Sequence, residues 1–285
     1  MAEEDNRPPH QGLKKGLYLF PTAFTAANIL MGFLAVLYSI RGFQAAPEIA
    51  ASYFNYAGIF IGFAILFDTL DGRVARMTRT ATEIGVQLDS LADVLTFGIA
   101  PIALIYSWGI GAVFAEKSST HTLGVFLLFM FLMCGAFRLA RFNLQATRPR
   151  VLLEGTPKID KKNFVGLPIP PAAGLMAAIV HYAPMPLNTY GNYAQFYGIL
   201  MIILLGVLGV LMVSTLRYTS FKTVGAGRTN IYIILLIVAL GMLMWTYSEY
   251  VLLILSGLYV SHGIIWYVLS VLSPRRKEKA VESQV

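Results

Sequence analysis

The stretch that decides the fold runs from Asp68 to Asp93 and reads DTLDGRVARMTRTATEIGVQLDSLAD. Two aspartates close one apolar run and two more open the next: Asp68, Asp71, Asp89 and Asp93. At about 100° per residue, Asp68 and Asp71 share one face of a helix. Asp89 and Asp93 share a face of the following helix with Gly85, in an i, i+4, i+8 series. We therefore predict two helix ends that each present two carboxylates.

The rest of the chain is apolar enough to place these carboxylates at membrane depth. Of its 285 residues, 56% are hydrophobic and 13% are charged, so we expect an all-α integral membrane protein. Uncharged stretches predict eight transmembrane helices: 17–40, 49–67, 94–115, 121–137, two within 163–216, 229–248 and 250–273. The predicted organisation is a cytoplasmic or interfacial leader (1–16), a transmembrane catalytic domain (17–273) and a cytoplasmic tail (274–285).

The positions of the basic residues predict how the chain is oriented. If the N-terminus is cytoplasmic, all of the 22 Lys and Arg residues except Arg41 and Lys117 lie on the cytoplasmic side, as the positive-inside rule requires. The aspartates then lie at the cytoplasmic ends of their helices. The net charge of +7 is explained by loop cations that face anionic lipid headgroups, and no nucleic acid is needed to account for it.

Four carboxylates at membrane depth repel one another and require a positive counter-charge. Divalent cations are the natural choice. An all-oxygen ligand set suits a hard ion such as magnesium, manganese or calcium, and the cluster contains neither the histidine nor the thiolate that favours zinc.

The aspartates are part of a longer pattern, D-x-x-D-G-x-x-A-R, eight residues, then G-x-x-x-D-x-x-x-D. It resembles the motif of the CDP-alcohol phosphatidyltransferase family. The resemblance implies a homodimeric membrane enzyme that uses two divalent ions, Mg or Mn, with four metal ligands: Asp68, Asp71, Asp89 and Asp93. It also implies that Asp93 is the catalytic base. The CDP-lipid donor would then lie against Asp68, Gly72, Ala75, Arg76 and Gly85.

Three of these donor contacts also follow from their size or charge. Gly72 and Ala75 leave the face beside Asp68 almost bare, which gives a nucleotide room against the helix. Arg76 can pair with phosphate or brace a carboxylate; its alternative role is an ordinary positive-inside anchor.

Segments further along the chain indicate the acceptor. Residues 137–143 (FRLARFN), 164–174 (FVGLPIPPAAG) and 214–222 resemble the phosphatidylserine synthase branch of the family. The resemblance implies that CDP-diacylglycerol and L-serine give phosphatidylserine and CMP. Serine needs a cation for its carboxylate, so Arg138, Arg141 and Asn143 are the candidate serine-binding residues. Anchoring of the loop remains the alternative role for the two arginines.

Three alternatives remain open at this point. Glycerol 3-phosphate or inositol would use the same chemistry with another acceptor, and an archaeal-type ether lipid would be another donor. A cation transporter would also place aspartates inside the membrane. Its pathway would continue to the outer side, but the outer acidic residues (Glu48, Glu116 and Glu249) lie in loops, which favours an enzyme. We expect it in the inner membrane of a prokaryote, with the active site facing the cytoplasm.

Overall fold

The computed structural model describes residues 11–78, 83–147, 163–214, 216–219 and 246–272. Nearly all of them are helical. The α-helices are α1 (Gln11–Gln44), α2 (Pro47–Thr78), α3 (Glu83–Asp93), α4 (Ala100–Ile105), α5 (Gly111–Val113), α6 (Ser119–Thr147), α7 (Ile169–Tyr182), α8 (Ala194–Val213) and α9 (Ser248–Leu272). Two π-helical segments, Val94–Ile99 and Tyr106–Ile110, join α3, α4 and α5 into one continuous rod, and a 3₁₀ segment, Leu187–Tyr193, precedes α8.

Among the described residues, six helical stretches are long and apolar enough to cross a membrane: Ala23–Gln44, Pro47–Gly72, Ile84–Val113, Ser119–Leu144, Leu187–Val213 and Ser248–Trp266. Helix α7 is apolar but shorter. These seven match seven of the predicted helices, and the remaining one, 229–248, lies outside the described residues except at its last positions. The prediction of an all-α membrane protein is therefore confirmed.

Several helices extend beyond the apolar runs from which they were predicted. Helix α2 continues past Asp68 to Thr78, and α6 continues past Arg138 to Thr147. An apolar run ends at its first charge, but the backbone hydrogen bonds of a helix do not have to end there. The functional side chains therefore project from the sides of regular helices.

Small side chains bring the central helices together. Ala57 and Ala64 on α2 are fully buried, as are Ala172 and Ala173 on α7. A Cβ added at Gly58 would lie 3.1 Å from the carbonyl oxygen of Ala177. Between membrane helices, where apolar burial gives little drive for association, such close contact is the main source of packing energy. Large apolar side chains such as Phe54, Phe97 and Phe131 fill the core around these contacts, and others, such as Phe33 and Phe63, are exposed on the outer faces of the helices.

Polar ties hold the ends of the helices opposite the aspartates. Trp108 Nε1 donates to the carbonyl oxygens of Ala183, at 2.9 Å, and Met185, at 2.8 Å. His181 Nδ1 donates to Asn55 Oδ1 at 2.6 Å, and its Nε2 lies 2.9 Å from Ser248 Oγ. These contacts connect α2, α7 and α9 far from the carboxylates.

A short antiparallel ribbon is the one pair of β-strands among the described residues. Strand β1 (Asn163–Val165) pairs with β2 (Arg217–Thr219), with Phe164 opposite Tyr218. Tyr218 is fully buried, donates to the carbonyl oxygen of Val260 at 3.4 Å and stacks on Tyr259 at 5.9 Å between ring centroids. The ribbon is therefore fastened to α9.

Candidate active site

Three carboxylates from two helices meet at one point. Asp68 on α2 and the pair Asp89 and Asp93 on α3 each place an oxygen within 4.8 Å of the other two. Asp93 is the most buried of the three, with 8% of its surface exposed, and Asp68 and Asp89 are half-buried. Asp68 from the first predicted pair and both aspartates of the second pair therefore face a common space.

Asp71 lies beside this group without belonging to it. It is buried, with 6% of its surface exposed, and its Oδ2 accepts a hydrogen bond from the hydroxyl of Thr25 on α1. Its charge acts on both Asp68 and Asp89. Asp71 thus adds a fourth negative charge next to the cluster, within electrostatic range of Asp68 and Asp89.

The cluster fits a divalent cation. Its donors are all carboxylate oxygens, which are the ligands that hard divalent ions prefer. Asp93 Oδ1 is fully buried and has no hydrogen-bond partner among the described residues. A buried carboxylate oxygen without a partner is costly, and a cation bound between the aspartates removes that cost.

Arg138 on α6 brings a positive charge to the edge of the cluster. Only 9% of its surface is exposed, and it lies within electrostatic range of Asp93 and of Tyr259 on α9. Its Nε has no hydrogen-bond partner among the described residues. Arg141, one turn further along α6, is half-buried. Of the two predicted arginines, Arg138 therefore has the place closer to the carboxylates.

Asn143 has a protein partner. Its Nδ2 donates to Ser90 Oγ at 2.8 Å, and the Ser90 hydroxyl in turn donates to the carbonyl oxygen of Val86 at 3.0 Å. Because α6 is still helical at this position, Asn143 points away from the face shared by Arg138 and Arg141. The contact ties the end of α6 to the residue that follows Asp89.

The structure describes only some of the predicted donor-binding residues. Gly72 on α2 and Gly85 on α3 lie at exposed positions on the two helices that carry the aspartates. The side chains of Ala75 and Arg76 lie outside the described part of the structure. The bare surface expected beside Asp68 therefore begins at Gly72.

Helix α1 contributes polar residues that the sequence analysis missed. Besides Thr25, it places Asn28 one turn deeper, with 1% of its surface exposed. The backbone oxygen of Asn28 accepts a hydrogen bond from Thr96 Oγ1 at 3.3 Å. The available signal was two polar residues spaced i, i+3 inside an uncharged run, which places them on one helix face.

A glycine sets the distance between α1 and the rod that begins with α3. A Cβ added at Gly32 would lie 2.5 Å from Thr96 Oγ1 and 2.9 Å from Thr96 Cα. Only a residue without a side chain allows this approach. The close contact keeps Asn28 beneath the turn that carries Asp93.

Comparison with known proteins identifies a family whose sequences this chain matches. Residues 18–204 match the family model described as CDP-alcohol phosphatidyltransferase. A CDP-diacylglycerol–serine O-phosphatidyltransferase from Helicobacter pylori is 35% identical over 90% of this chain and 94% of its own. A Methanocaldococcus jannaschii protein of the same name is 29% identical over 86% and 92%. An archaetidylserine synthase from Methanothermobacter thermautotrophicus is 32% identical over 72% of each.

Proposed function

The chain belongs to the CDP-alcohol phosphatidyltransferase family, and from that premise we propose that it makes phosphatidylserine. The reaction moves the phosphatidyl group of CDP-diacylglycerol to the hydroxyl of L-serine and releases CMP. The observation that carries the proposal is the buried cluster of Asp68, Asp89 and Asp93. Relatives that match nearly the whole chain are named for this transfer.

Asp68, Asp71, Asp89 and Asp93 would hold the divalent metal, Mg or Mn, in a site for two ions. A metal bound there supplies a Lewis acid that offsets the negative charge building up on phosphate oxygens during the transfer. Thr25 holds Asp71 in place through its hydroxyl. The nucleotide part of the donor lies along the bare face that begins at Gly72, with Ala75, Arg76 and Gly85 as its further contacts.

Asp93 acts as the general base. The serine hydroxyl gives its proton to Asp93 while its oxygen forms a bond to the phosphorus that carries the diacylglycerol. The bond from this phosphorus to the bridging oxygen of CMP breaks in the same displacement. The buried position of Asp93 in the cluster supports this role, because one oxygen of its carboxylate can face the cation while the other accepts the proton of an incoming hydroxyl.

Arg138 holds the carboxylate of serine. Among the described residues, Arg138 is the basic side chain whose charge acts on Asp93. Its guanidinium can pair with a carboxylate through two parallel hydrogen bonds. Arg141 supports the same face of α6, and Asn143 fixes the end of α6 against α3 through Ser90. Serine would thus lie with its hydroxyl toward Asp93 and its carboxylate toward α6.

The site faces the cytoplasm of a prokaryote from its inner membrane, and the active protein is a homodimer. The cytoplasmic orientation of the site is supported by the positions of Arg41 and Lys117, which lie on the side of the protein opposite the aspartates. The homodimer is expected from family resemblance.

One assay tests the proposal directly. The purified protein is given CDP-diacylglycerol and Mn²⁺ or Mg²⁺, and CMP release is measured with serine, glycerol 3-phosphate, inositol or ethanolamine. We expect release that depends on serine and on the metal, and that stops when a chelator is added. Release with another alcohol but not with serine would overturn the assignment of the acceptor.

The donor has a second candidate, because a relative covering 72% of this chain is named an archaetidylserine synthase. The same assay with an ether-linked CDP-lipid in place of CDP-diacylglycerol distinguishes the two. We expect the diacyl donor to give the higher kcat/KM. A clear preference for the ether-linked donor would reassign it.

A further inference from the structure

The buried side-chain amide of Asn28, on α1 near the carboxylate cluster, makes no hydrogen bond to any described residue. It is 1% exposed, and neither its Nδ2 nor its Oδ1 has a hydrogen-bond partner among the residues that the structure describes. An unsatisfied buried amide is costly, and each such group in a native protein requires an explanation. Its neighbours Thr25 and Thr96 both make hydrogen bonds, so the lack of a described partner is not shared by the polar residues next to it on this face.

The position of Asn28 follows from its contacts with two other helices. Thr25, one turn before it on α1, donates to Asp71 on α2. Thr96, which donates to the backbone oxygen of Asn28, lies about one turn beyond Asp93. Asn28 is therefore within about one helical turn of carboxylates from both sides of the cluster, on its deeper side. A ligand bound against Asp93 would therefore lie within about one helical turn of Asn28.

We propose that the Asn28 amide is a subsite for the amino group of the acceptor, with Oδ1 receiving a hydrogen bond from the ammonium of serine. The inference rests on the proposed function. Serine presents a hydroxyl, a carboxylate and an ammonium, and the first two are matched by Asp93 and Arg138. A neutral carbonyl oxygen suits the third group, because it accepts a hydrogen bond without adding another negative charge to the cluster.

The test replaces Asn28 by Leu, which has a similar shape and no polar atom. If the amide binds only substrate, Asn28→Leu removes an unsatisfied group from the ligand-free protein, and the thermal midpoint stays the same or rises. The KM for serine rises about 10- to 100-fold, the range expected for a hydrogen bond to a charged group. The KM for CDP-diacylglycerol and the half-saturating Mn²⁺ concentration stay within about twofold.

A serine analogue without an amino group tests the contribution of the ammonium separately. 3-Hydroxypropionate has the hydroxyl and carboxylate of serine but no ammonium, and it is used as a competitor of serine. We expect its inhibition constant to be the same in the wild type and in Asn28→Leu. In Asn28→Asp, which keeps an acceptor oxygen, the preference for serine over 3-hydroxypropionate should persist.

The matched control is Ser39→Ala. Ser39 is also buried and polar on α1, but its hydroxyl is satisfied by the carbonyl oxygen of Ala35 at 2.7 Å, far from the aspartates. We expect its serine KM to equal that of the wild type. Asn28→Ala provides the same kinetic test if the Leu variant does not fold.

Four results would overturn the inference. They are an unchanged serine KM in Asn28→Leu, an equal weakening of serine and 3-hydroxypropionate, a lowered thermal midpoint with only kcat reduced, and a large shift in Mn²⁺ dependence. Each can occur while the wild type still uses serine, so the proposed function would survive. A wild type that releases no CMP with serine overturns the proposed function and this inference together.

Discussion

Arg138 and Asp93 lie within electrostatic range of each other, yet each keeps a buried polar atom without a partner. Arg138 Nε and Asp93 Oδ1 make no hydrogen bond to any residue that the structure describes, although both side chains are more than nine-tenths buried. A donor and an acceptor are thus left near each other on α6 and α3. A small zwitterion with a hydroxyl group would use both.

Replacing Arg138 by Lys should raise the KM for serine about tenfold or more. The charge remains, but the planar fork that pairs with a carboxylate is lost. Affinity for the CDP-lipid should change much less, and discrimination against ethanolamine, which has no carboxylate, should become poor. Steady-state kinetics with both acceptors measure these effects.

Arg141→Lys is the comparison for that experiment, because Arg141 lies on the same face of α6 but is less buried. Its effect on the serine KM should have the same direction and a smaller size. If the serine KM is unchanged in both variants, the two arginines do not bind serine and serve only to anchor the loop.

Asp93→Asn should abolish turnover while leaving appreciable binding of the CDP-lipid. Loss of a general base typically costs ~10²–10⁴-fold in rate, and loss of a metal ligand can add to it. Asp68→Asn, Asp71→Asn and Asp89→Asn should instead weaken binding of metal and CDP-lipid together. Titrations of Mn²⁺ and of the lipid, alongside CMP release, separate the two behaviours. Near-normal activity of Asp93→Asn would show that the base is another group.

Thr25→Val should lower kcat/KM about tenfold without removing metal dependence. Valine has the shape of threonine but cannot donate to Asp71, and a hydrogen bond to a charged group contributes about 1.5–3 kcal/mol. Thr25→Ser keeps the hydroxyl and should restore most of the activity. If Ser and Val variants behave alike, the contact with Asp71 has no role in the reaction.

Single cysteines at Lys117 and Ser283 should report the orientation in whole cells, in a protein whose Cys134 has been replaced by Ala. An impermeant maleimide should label position 117, in the loop before α6, and should not label position 283, which lies in the predicted cytoplasmic tail. The opposite pattern would reverse the topology and place the aspartates on the outer side.

Features with a strong period or a fixed spacing could be predicted from the sequence. The uncharged runs predict the six described spans and the shorter helix α7, and the spacing of Asp89 and Asp93 places both on one face of α3, where the structure has them. The ends of α2 and α6 could not be located in this way, because hydropathy marks where a helix leaves the apolar layer and not where its hydrogen bonds end.

The contribution of α1 is harder to recognise in the sequence. Thr25 and Asn28 are neutral, and single neutral polar residues are common in membrane helices. Their meaning depends on which helix packs against α1, and this is set by the close approach at Gly32 and Thr96. The tie between Asn143 and Ser90 is likewise a contact between distant segments that no local pattern encodes.

The close contact at Gly32 also predicts the result of a genetic screen. Any side chain at position 32 would push α1 away from the rod that carries Asp93 and Thr96, because the added Cβ would lie within 3 Å of Thr96 atoms. In a screen for loss of the enzyme, Gly32→Ala should therefore be recovered together with substitutions of the aspartates. The residue has no functional group, and a substitution by a single methyl would commonly be classed as conservative, yet it would impair the enzyme by moving α1.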